Sequence, residues 1–292
     1  GSATGTSYSA GVNSESFFPT GFNPYTEFGS FTSQGLVHVQ GTPLVVPTGF
    51  VMSIDSDRPD RIRVEGTLRP EGSPSSPMSL VVSQGGVEVA PGGVFNMYGA
   101  SLTLRTDSAV YGGNLSNISH LTIADTLDSV VTFTQTGGTT SVNYDLRVGD
   151  ASYSAINPQG IVNLSGGDMT IGDDLHLGYG GNYFPEGTFR QSAGSVSVGD
   201  DVWIATGTNT LGTYELSGGS LTVGDELIVG HSAGNSTGLL QQSGGAVTTD
   251  FVTVYSGSRY DLTGGTLQVN ERFDLTGTLD FGGGDASILA TD

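Results

Sequence analysis

Acidic side chains recur at one position of a repeated motif, just before an apolar pair. They are Asp145, Asp173, Asp174, Asp200, Asp201, Asp225, Glu226, Asp250 and Glu271. If successive units stack about 4.8 Å apart, these like charges repel one another unless a cation bridges them. Calcium suits such a row, because it accepts about six to eight oxygen ligands in flexible geometry. The pattern predicts calcium ligands at Asp174, Asp200, Asp201, Asp225 and Glu226, or alternatively ordinary exposed Gly-Asp turns; no cofactor is required.

Two groups of aromatic residues are candidates for binding a partner. The first lies where the motif varies in length, and comprises Tyr153, Tyr179, Tyr183, Phe184 and Tyr255. These side chains could contact a glycan or a neighbouring subunit, or could be scattered surface aromatics. The second group lies in a segment rich in Gly, Ser and Thr, and comprises Phe17, Phe18, Phe22, Tyr25, Phe28 and Phe31. A linker needs no such aromatics, so residues 1–40 are predicted to be an arm that docks on another subunit.

Catalytic chemistry finds weak support in the sequence. A glycoside hydrolase needs two carboxylates about 5–9 Å apart across a cleft. The motif instead offers one neighbouring Arg190–Glu215 pair and a cluster of His176 with Arg147 and Trp203. The pair is read as a surface ion pair of little energetic value, and the four histidines are scattered. The chain is predicted not to be an enzyme, with a polysaccharide lyase or hydrolase kept as an alternative.

The composition excludes several classes of partner. The net charge is −20, with nine arginines and no lysine, so the chain is a poor binder of nucleic acid. No apolar run reaches the roughly 18 residues of a membrane span, and the absence of cysteine excludes disulfides. The chain begins at Gly1-Ser2 without Met. We expect a mature extracellular or cell-surface protein after removal of a signal peptide; the alternative is that Gly1-Ser2 is a cloning scar.

The fold is indicated by a repeat with a period in the twenties. A break of two small residues recurs at positions 137, 166, 193, 218, 244 and 264. Around each break stand three apolar pairs with period-two alternation, such as Tyr214/Leu216, Leu221/Val223 and Leu227/Val229. Each unit is too small to bury its own apolar side chains and must stack on its neighbours. The pattern predicts an all-β, single-stranded parallel β-helix (a β-solenoid) with about three short strands per coil and roughly ten coils.

The first strand carries a polar residue in alternate units. Gln135, Gln191 and Gln242 alternate with leucines in one column, which suggests a two-coil superperiod. The glutamine side chains either point inward and find hydrogen-bond partners, or occupy half-exposed corners.

The chain divides into four predicted parts. Residues 1–40 form the extended N-terminal arm, 41–130 the irregular first coils, 131–283 the regular repeats and 284–292 a short tail. The ambiguous unit near Phe251 interrupts the third column of pairs.

Two of the units carry a resemblance to known proteins. "GTFRQSAGSVSVGDDVWIA" and "GTYELSGGSLTVGDELIVG" resemble the strand repeats of secreted bacterial proteins of the PEP-CTERM and autotransporter-passenger type. The resemblance covers about residues 131–281. It implies a parallel β-helix at the cell surface or in a matrix, and it transfers no catalytic residue.

These patterns together predict a secreted structural protein. The tail after Phe281 is too short for a convincing cap, and an exposed terminal coil is a template for another copy. We expect subunits to assemble head to tail into a filament or layer, with the arm contacting the neighbouring subunit. A carbohydrate-binding adhesin or matrix module is the alternative among non-enzymes.

Overall fold

The computed structural model describes residues 85–152, 156–181, 183–232 and 235–282. It also describes eight short strands between residues 16 and 82 and the strand Ala286–Ala290. Within this part of the chain there is no helix, hence none long and apolar enough to cross a membrane.

The strands pair in parallel and stack in three columns. The first column contains Ser16–Phe17, Val37–Val39, Ile62–Val64, Val87–Val89, Gln159–Leu164, Glu186–Gln191, Leu211–Leu216 and Thr278–Asp280. The second contains Leu44–Val46, Thr67–Pro70, Val94–Asn96, Asp168–Ile171, Ser195–Val198, Ser220–Val223 and Ala286–Ala290. The third contains Phe31–Ser33, Met52–Ile54, Ser79–Val82, Ser101–Leu104, Leu121–Ile123, Leu146–Asp150, Leu175–Tyr179, Val202–Thr206 and Glu226–Val229.

Four longer strands continue through corners, where their pairing with the adjacent coil shifts register. Ser108–Ile118 and Val130–Val142 pass from the first column into the second, whereas Thr237–Val254 and Arg259–Leu275 run through all three. About eight complete coils lie between residues 87 and 275, and the upstream strands extend the same columns. The predicted parallel β-solenoid is therefore confirmed, with a coil number close to the predicted ten.

The core is a stack of the predicted inward pairs. Tyr214, Leu216, Leu221, Leu227 and Val229 are each at most 1% exposed, and their register partners in the adjacent coils are buried as well. Burying a side chain of this kind contributes roughly 1.5–3 kcal/mol relative to leaving it in water. Because every coil shares its core with the coils above and below, this stabilisation depends on stacking.

A further inward position in the first column is occupied by glycine. Gly160, Gly187 and Gly212 are register partners there. A Cβ added at Gly212 would lie 2.2 Å from the backbone nitrogen of Ala205, where the third strand of the previous coil ends. The chain crosses itself too closely at this corner for any side chain.

The unit near Phe251, ambiguous in the sequence, has a corner one residue shorter than its neighbours. Val252 and Val254 point inward, and Phe251 pairs with Glu226 of the preceding coil. Thr249 Oγ1 lies 2.8 Å from the carbonyl oxygen of Asp225 and 2.9 Å from that of Phe251, so its hydroxyl bonds across the shortened corner.

The segment predicted as an arm contains strands of the solenoid. Ser16–Phe17 pairs with Val37–Val39, and Phe31–Ser33 pairs with Met52–Ile54. Phe17 and Phe31 thus belong to paired strands. Phe18, Phe22, Tyr25 and Phe28 lie outside the described residues, and their contact with a neighbouring subunit stays a prediction.

Candidate functional site

A row of acids runs along the outside of the rod, at the corner before the third column. Asp145, Asp174, Asp201 and Glu226 each precede the first inward residue of a third-column strand, and those strands are in register. Asp174 Oδ1 accepts a hydrogen bond from the backbone N–H of Asp201 at 3.0 Å, and Asp201 Oδ1 accepts one from the N–H of Glu226 at 3.0 Å. The carboxylates of Asp174 and Asp201 therefore each tie their own coil to the next one.

Burial disfavours the charged form of these two carboxylates. It raises the pKa of Asp201 to about 6 and also raises the pKa of Asp174, while the backbone hydrogen bonds act in the opposite direction. Repulsion by neighbouring aspartates adds to the shift at both residues. Partial burial and like charge together make this corner receptive to a proton or a cation.

Most of the predicted calcium ligands come together at this corner. Asp173, Asp174 and Asp200 form one group, and Asp200, Asp201 and Asp225 form another, each with ligand atoms within 4.8 Å of one another. Glu226 belongs to neither group, and its carboxylate accepts a hydrogen bond from the hydroxyl of Thr253. Calcium binding here stays a prediction.

A third group of possible metal ligands contains a histidine. Asp145, Asp174 and His176 have ligand atoms within 4.8 Å of one another, and His176 is 7% exposed although it points away from the core. Its Nδ1 lies 3.3 Å from Thr206 Oγ1, and its Nε2 lies 3.6 Å from Asp174 Oδ2. Burial lowers the pKa of His176 to about 4, so the imidazole is neutral at neutral pH.

Arg147 and Tyr179 cover one side of the histidine. Arg147 donates a hydrogen bond of 2.8 Å to Asp145 Oδ2, and its guanidinium carbon lies 4.4 Å from the centre of the Tyr179 ring. The Tyr179 and His176 rings are 4.8 Å apart. The sequence placed His176 beside Arg147 and Trp203, and the strand register bears this out, since Arg147, His176 and Trp203 are successive partners.

The other predicted aromatic contacts are less closely packed. Phe184 is 57% exposed, with a backbone φ of 51°, and Tyr183 and Tyr255 are half-buried. Tyr153 lies outside the described residues. Tyr179 is the member of this set that the structure places in a defined cluster.

A groove on the outside of the first column was not predicted. It runs across several coils on the outside of the first column and encloses about 490 Å³. One wall carries the outward residues of the strands, Asn163, Arg190, Glu215, Gln241 and Asp261, and the other carries the exposed hydroxyls Ser165, Ser192, Ser217, Ser243 and Thr263. The sequence feature that could have predicted the groove is the Ser or Thr residue that precedes the small-residue break in each unit.

The pair considered for catalysis lies in this groove. Arg190 Nε is 3.2 Å from Glu215 Oε2, and the two side chains are 47% and 40% exposed. An ion pair in that setting is worth at most about 1 kcal/mol.

Comparison of the chain with protein-family models, with curated proteins and with solved structures gives no match.

Proposed function

We propose that this protein is a secreted structural β-solenoid whose subunits stack head to tail into an extracellular filament or surface layer. Three in-register columns give the rod one continuous core along its length. Such a rod transmits its geometry from coil to coil, because each coil contacts only its neighbours. In this proposal the protein is a building block without a catalytic role. The resemblance of its units to secreted bacterial strand repeats supports the extracellular location.

The observation that carries the proposal is the apolar surface beside a half-paired strand. In the third column, Arg272–Leu275 pairs with the preceding coil through Phe251–Val254, and no described strand pairs with its other side. Leu275 is 47% exposed, and Phe281, which follows the first-column strand Thr278–Asp280 of the last coil, is 54% exposed. A second copy stacked on this end of the rod would supply a parallel strand for that edge and would cover both side chains.

Charges at this edge are expected to weaken assembly. In the variants Leu275→Asp and Phe281→Asp, the interface would bury an unpaired carboxylate, and we expect the concentration needed for assembly to rise at least about tenfold. Sedimentation velocity and negative-stain electron microscopy over a concentration series would measure this.

Leu211→Asp is the matched control. Leu211 is 45% exposed, close to the value of Leu275, but its strand is paired on both sides within the rod. Its substitution should leave assembly unchanged. A parent protein that stays monomeric throughout, or an equal effect of Leu211→Asp, contradicts end-to-end stacking.

The aromatic arm is tested separately. Serine at Phe18, Phe22, Tyr25 and Phe28 should abolish filaments and leave the circular dichroism of the solenoid unchanged. Substitution is preferable to deletion of residues 1–40, because deletion would also remove strands that pair with Met52–Ile54 and Ile62–Val64. Filaments that persist in the serine variant would rule out the arm as the contact.

A second candidate function, carbohydrate binding, is favoured by the groove on the first column. Amides, a guanidinium, carboxylates and a row of hydroxyls line it, and these groups donate and accept hydrogen bonds as sugar hydroxyls do. The rows repeat at the coil spacing of about 4.8 Å, so an extended glycan lying along the rod would meet similar groups at each step.

Glycan binding predicts a loss on removing either amide. Asn163→Ala and Gln241→Ala should each weaken binding to a soluble polysaccharide about tenfold, since each removes hydrogen bonds worth about 1 kcal/mol or more. A glycan array followed by calorimetry would measure it, with Thr222→Ala on the exposed second column as control. Loss on Tyr179→Ala or Tyr183→Ala, with Gln241→Ala unchanged, would move the site to the third column.

A further inference from the structure

The cluster of Asp145, Asp174 and His176 has the geometry of a metal centre. Asp174 Oδ2 and His176 Nε2 are 3.6 Å apart, beyond hydrogen-bonding distance. Two ligands roughly 2.0–2.2 Å from a tetrahedral ion are about 3.3–3.6 Å apart, so these two atoms already stand at the required separation. A carboxylate oxygen of Asp145 lies within 4.8 Å of both. Only a small adjustment of that side chain would complete a three-ligand set.

Each of these ligands is held by another group of the protein. The second oxygen of Asp174 accepts the N–H of Asp201, and Nδ1 of His176 contacts the hydroxyl of Thr206. Asp145 is fixed by Arg147. Such outer contacts set the imidazole tautomer and aim the ligand atoms, as they do at established metal sites. The buried imidazole of His176 separates this cluster from the two groups made of aspartates alone.

The imidazole is the observation that points to a ligand. His176 has a side chain more than nine-tenths buried, and in the tautomer whose Nδ1–H donates to Thr206 the Nε2 lone pair faces Asp174 Oδ2 at 3.6 Å. Two acceptors that face each other without a proton between them are unfavourable. Repulsion from Asp173, Asp145 and Asp200 also acts on Asp174, whereas the guanidinium of Arg147 is bound to Asp145. A divalent cation would satisfy both acceptors.

We infer that Asp145, Asp174 and His176 bind a transition-metal ion of the zinc type, with solvent or a further ligand at the fourth position. A nitrogen ligand among carboxylates suits zinc, cobalt or copper, whereas calcium and magnesium prefer oxygen alone. The ion would tie the third strands of two adjacent coils together outside the core. This inference is independent of filament assembly and of glycan binding.

The single tryptophan of the chain is a built-in probe of this site. Trp203 is the register partner of His176 in the next coil, so a paramagnetic ion at the cluster would quench its fluorescence. Titration of the full chain with Cu²⁺ or Co²⁺ should give saturable quenching at one ion per chain, reversed by Zn²⁺. Calcium at the same concentration should have no effect.

Substitutions identify the ligands. His176→Gln and Asp174→Asn should weaken Co²⁺ and Zn²⁺ binding more than about 100-fold, while the asparagine can still accept the N–H of Asp201. Thr206→Val should weaken it about tenfold, the usual effect of losing an outer contact. If His176→Gln fails to fold, the Asp174 and Thr206 variants decide the question alone.

His231→Gln is the control, because His231 lies 6.4 Å from the Trp203 ring and could quench through a metal of its own. Quenching should be unchanged in this variant. Quenching that is lost in His231→Gln but kept in His176→Gln, or binding in which calcium displaces cobalt equally well, overturns the inference.

Discussion

Alanine at Gly138 is expected to destabilise the solenoid by about 4 kcal/mol or more, a very large effect for one methyl group. Gly138 has a φ of 72°, and a Cβ there would lie 1.9 Å from the carbonyl oxygen of Gly113 in the preceding coil. The backbone of neither corner can yield alone, because the residues on either side of both corners are paired in the strand ladders. The coils would have to separate locally, which weakens the stacking on which each depends.

Alanine variants at two other glycines separate the cost of a positive φ from the cost of the close approach between coils. Gly257 has a φ of 84° but no atom within 4 Å of an added Cβ, so its alanine variant should cost only the roughly 1–2 kcal/mol of left-handed strain. Gly181 has open space and no positive φ, and its variant should be neutral or slightly stabilising. Urea unfolding followed by circular dichroism gives the three values. A loss at Gly138 no larger than that at Gly257 would contradict the close approach of the coils.

The core could be read from the sequence because burial follows the period of the strand. Pairs such as Leu221/Val223 alternate with polar residues, and the alternation alone assigns them to the inner face. The inward glycines of the first column could not be read in this way. Gly212 carries no side chain that marks a face, and the need for it comes from the backbone of Ala205, which the fold brings against it.

The candidate sites were predictable only in part, for a similar reason. The row of acids was visible because it repeats once per unit. Which carboxylates remain available was not, because it depends on contacts such as that between Asp174 and the N–H of Asp201 in the next coil. His176 meets Thr206 across 30 residues of sequence, and the groove exists only where two outward rows face each other. Contacts between side chains of adjacent coils depend on how the coils stack in register. The residue pattern within one unit does not specify that register.

The buried glutamines show what the stacking register adds. Gln135, Gln191 and Gln242 are at most 1% exposed, which excludes the half-exposed alternative. Gln191 Nε2 donates to the carbonyl oxygens of Gly194 at 3.1 Å and Ser220 at 2.9 Å, one in its own coil and one in the next. The other two amides repeat this pattern. The side chain thereby joins two corners from inside the core.

The two-coil superperiod is explained by tyrosine hydroxyls, which donate the third hydrogen bond to two of the buried glutamine amides. Tyr214 donates a hydrogen bond of 2.7 Å to Gln191 Oε1, and Tyr260 donates likewise to Gln242. Gln135 lacks this bond, since the coil that follows it carries Val162 at the position that Tyr214 occupies two coils later, and Gln135 Oε1 is buried without a partner. Three coils carry leucine in the glutamine column. In two of them, a tyrosine donates a hydrogen bond to the glutamine of the preceding coil.

Leucine at Gln191 is expected to cost about 3 kcal/mol or more, and clearly more than leucine at Gln135. Both substitutions remove an amide that bonds two carbonyls, but the change at Gln191 also leaves the Tyr214 hydroxyl buried without an acceptor, a penalty of about 1–3 kcal/mol. The double variant Gln191→Leu with Tyr214→Phe should recover that penalty relative to Gln191→Leu alone. Urea unfolding of the parent protein, the single variants Gln191→Leu and Tyr214→Phe, and the double variant measures the coupling free energy. A double variant no more stable than Gln191→Leu would contradict it. Recovery on removing both polar groups would show that the tyrosine and the glutamine act as a unit, so that neighbouring coils are matched in polarity as well as in shape.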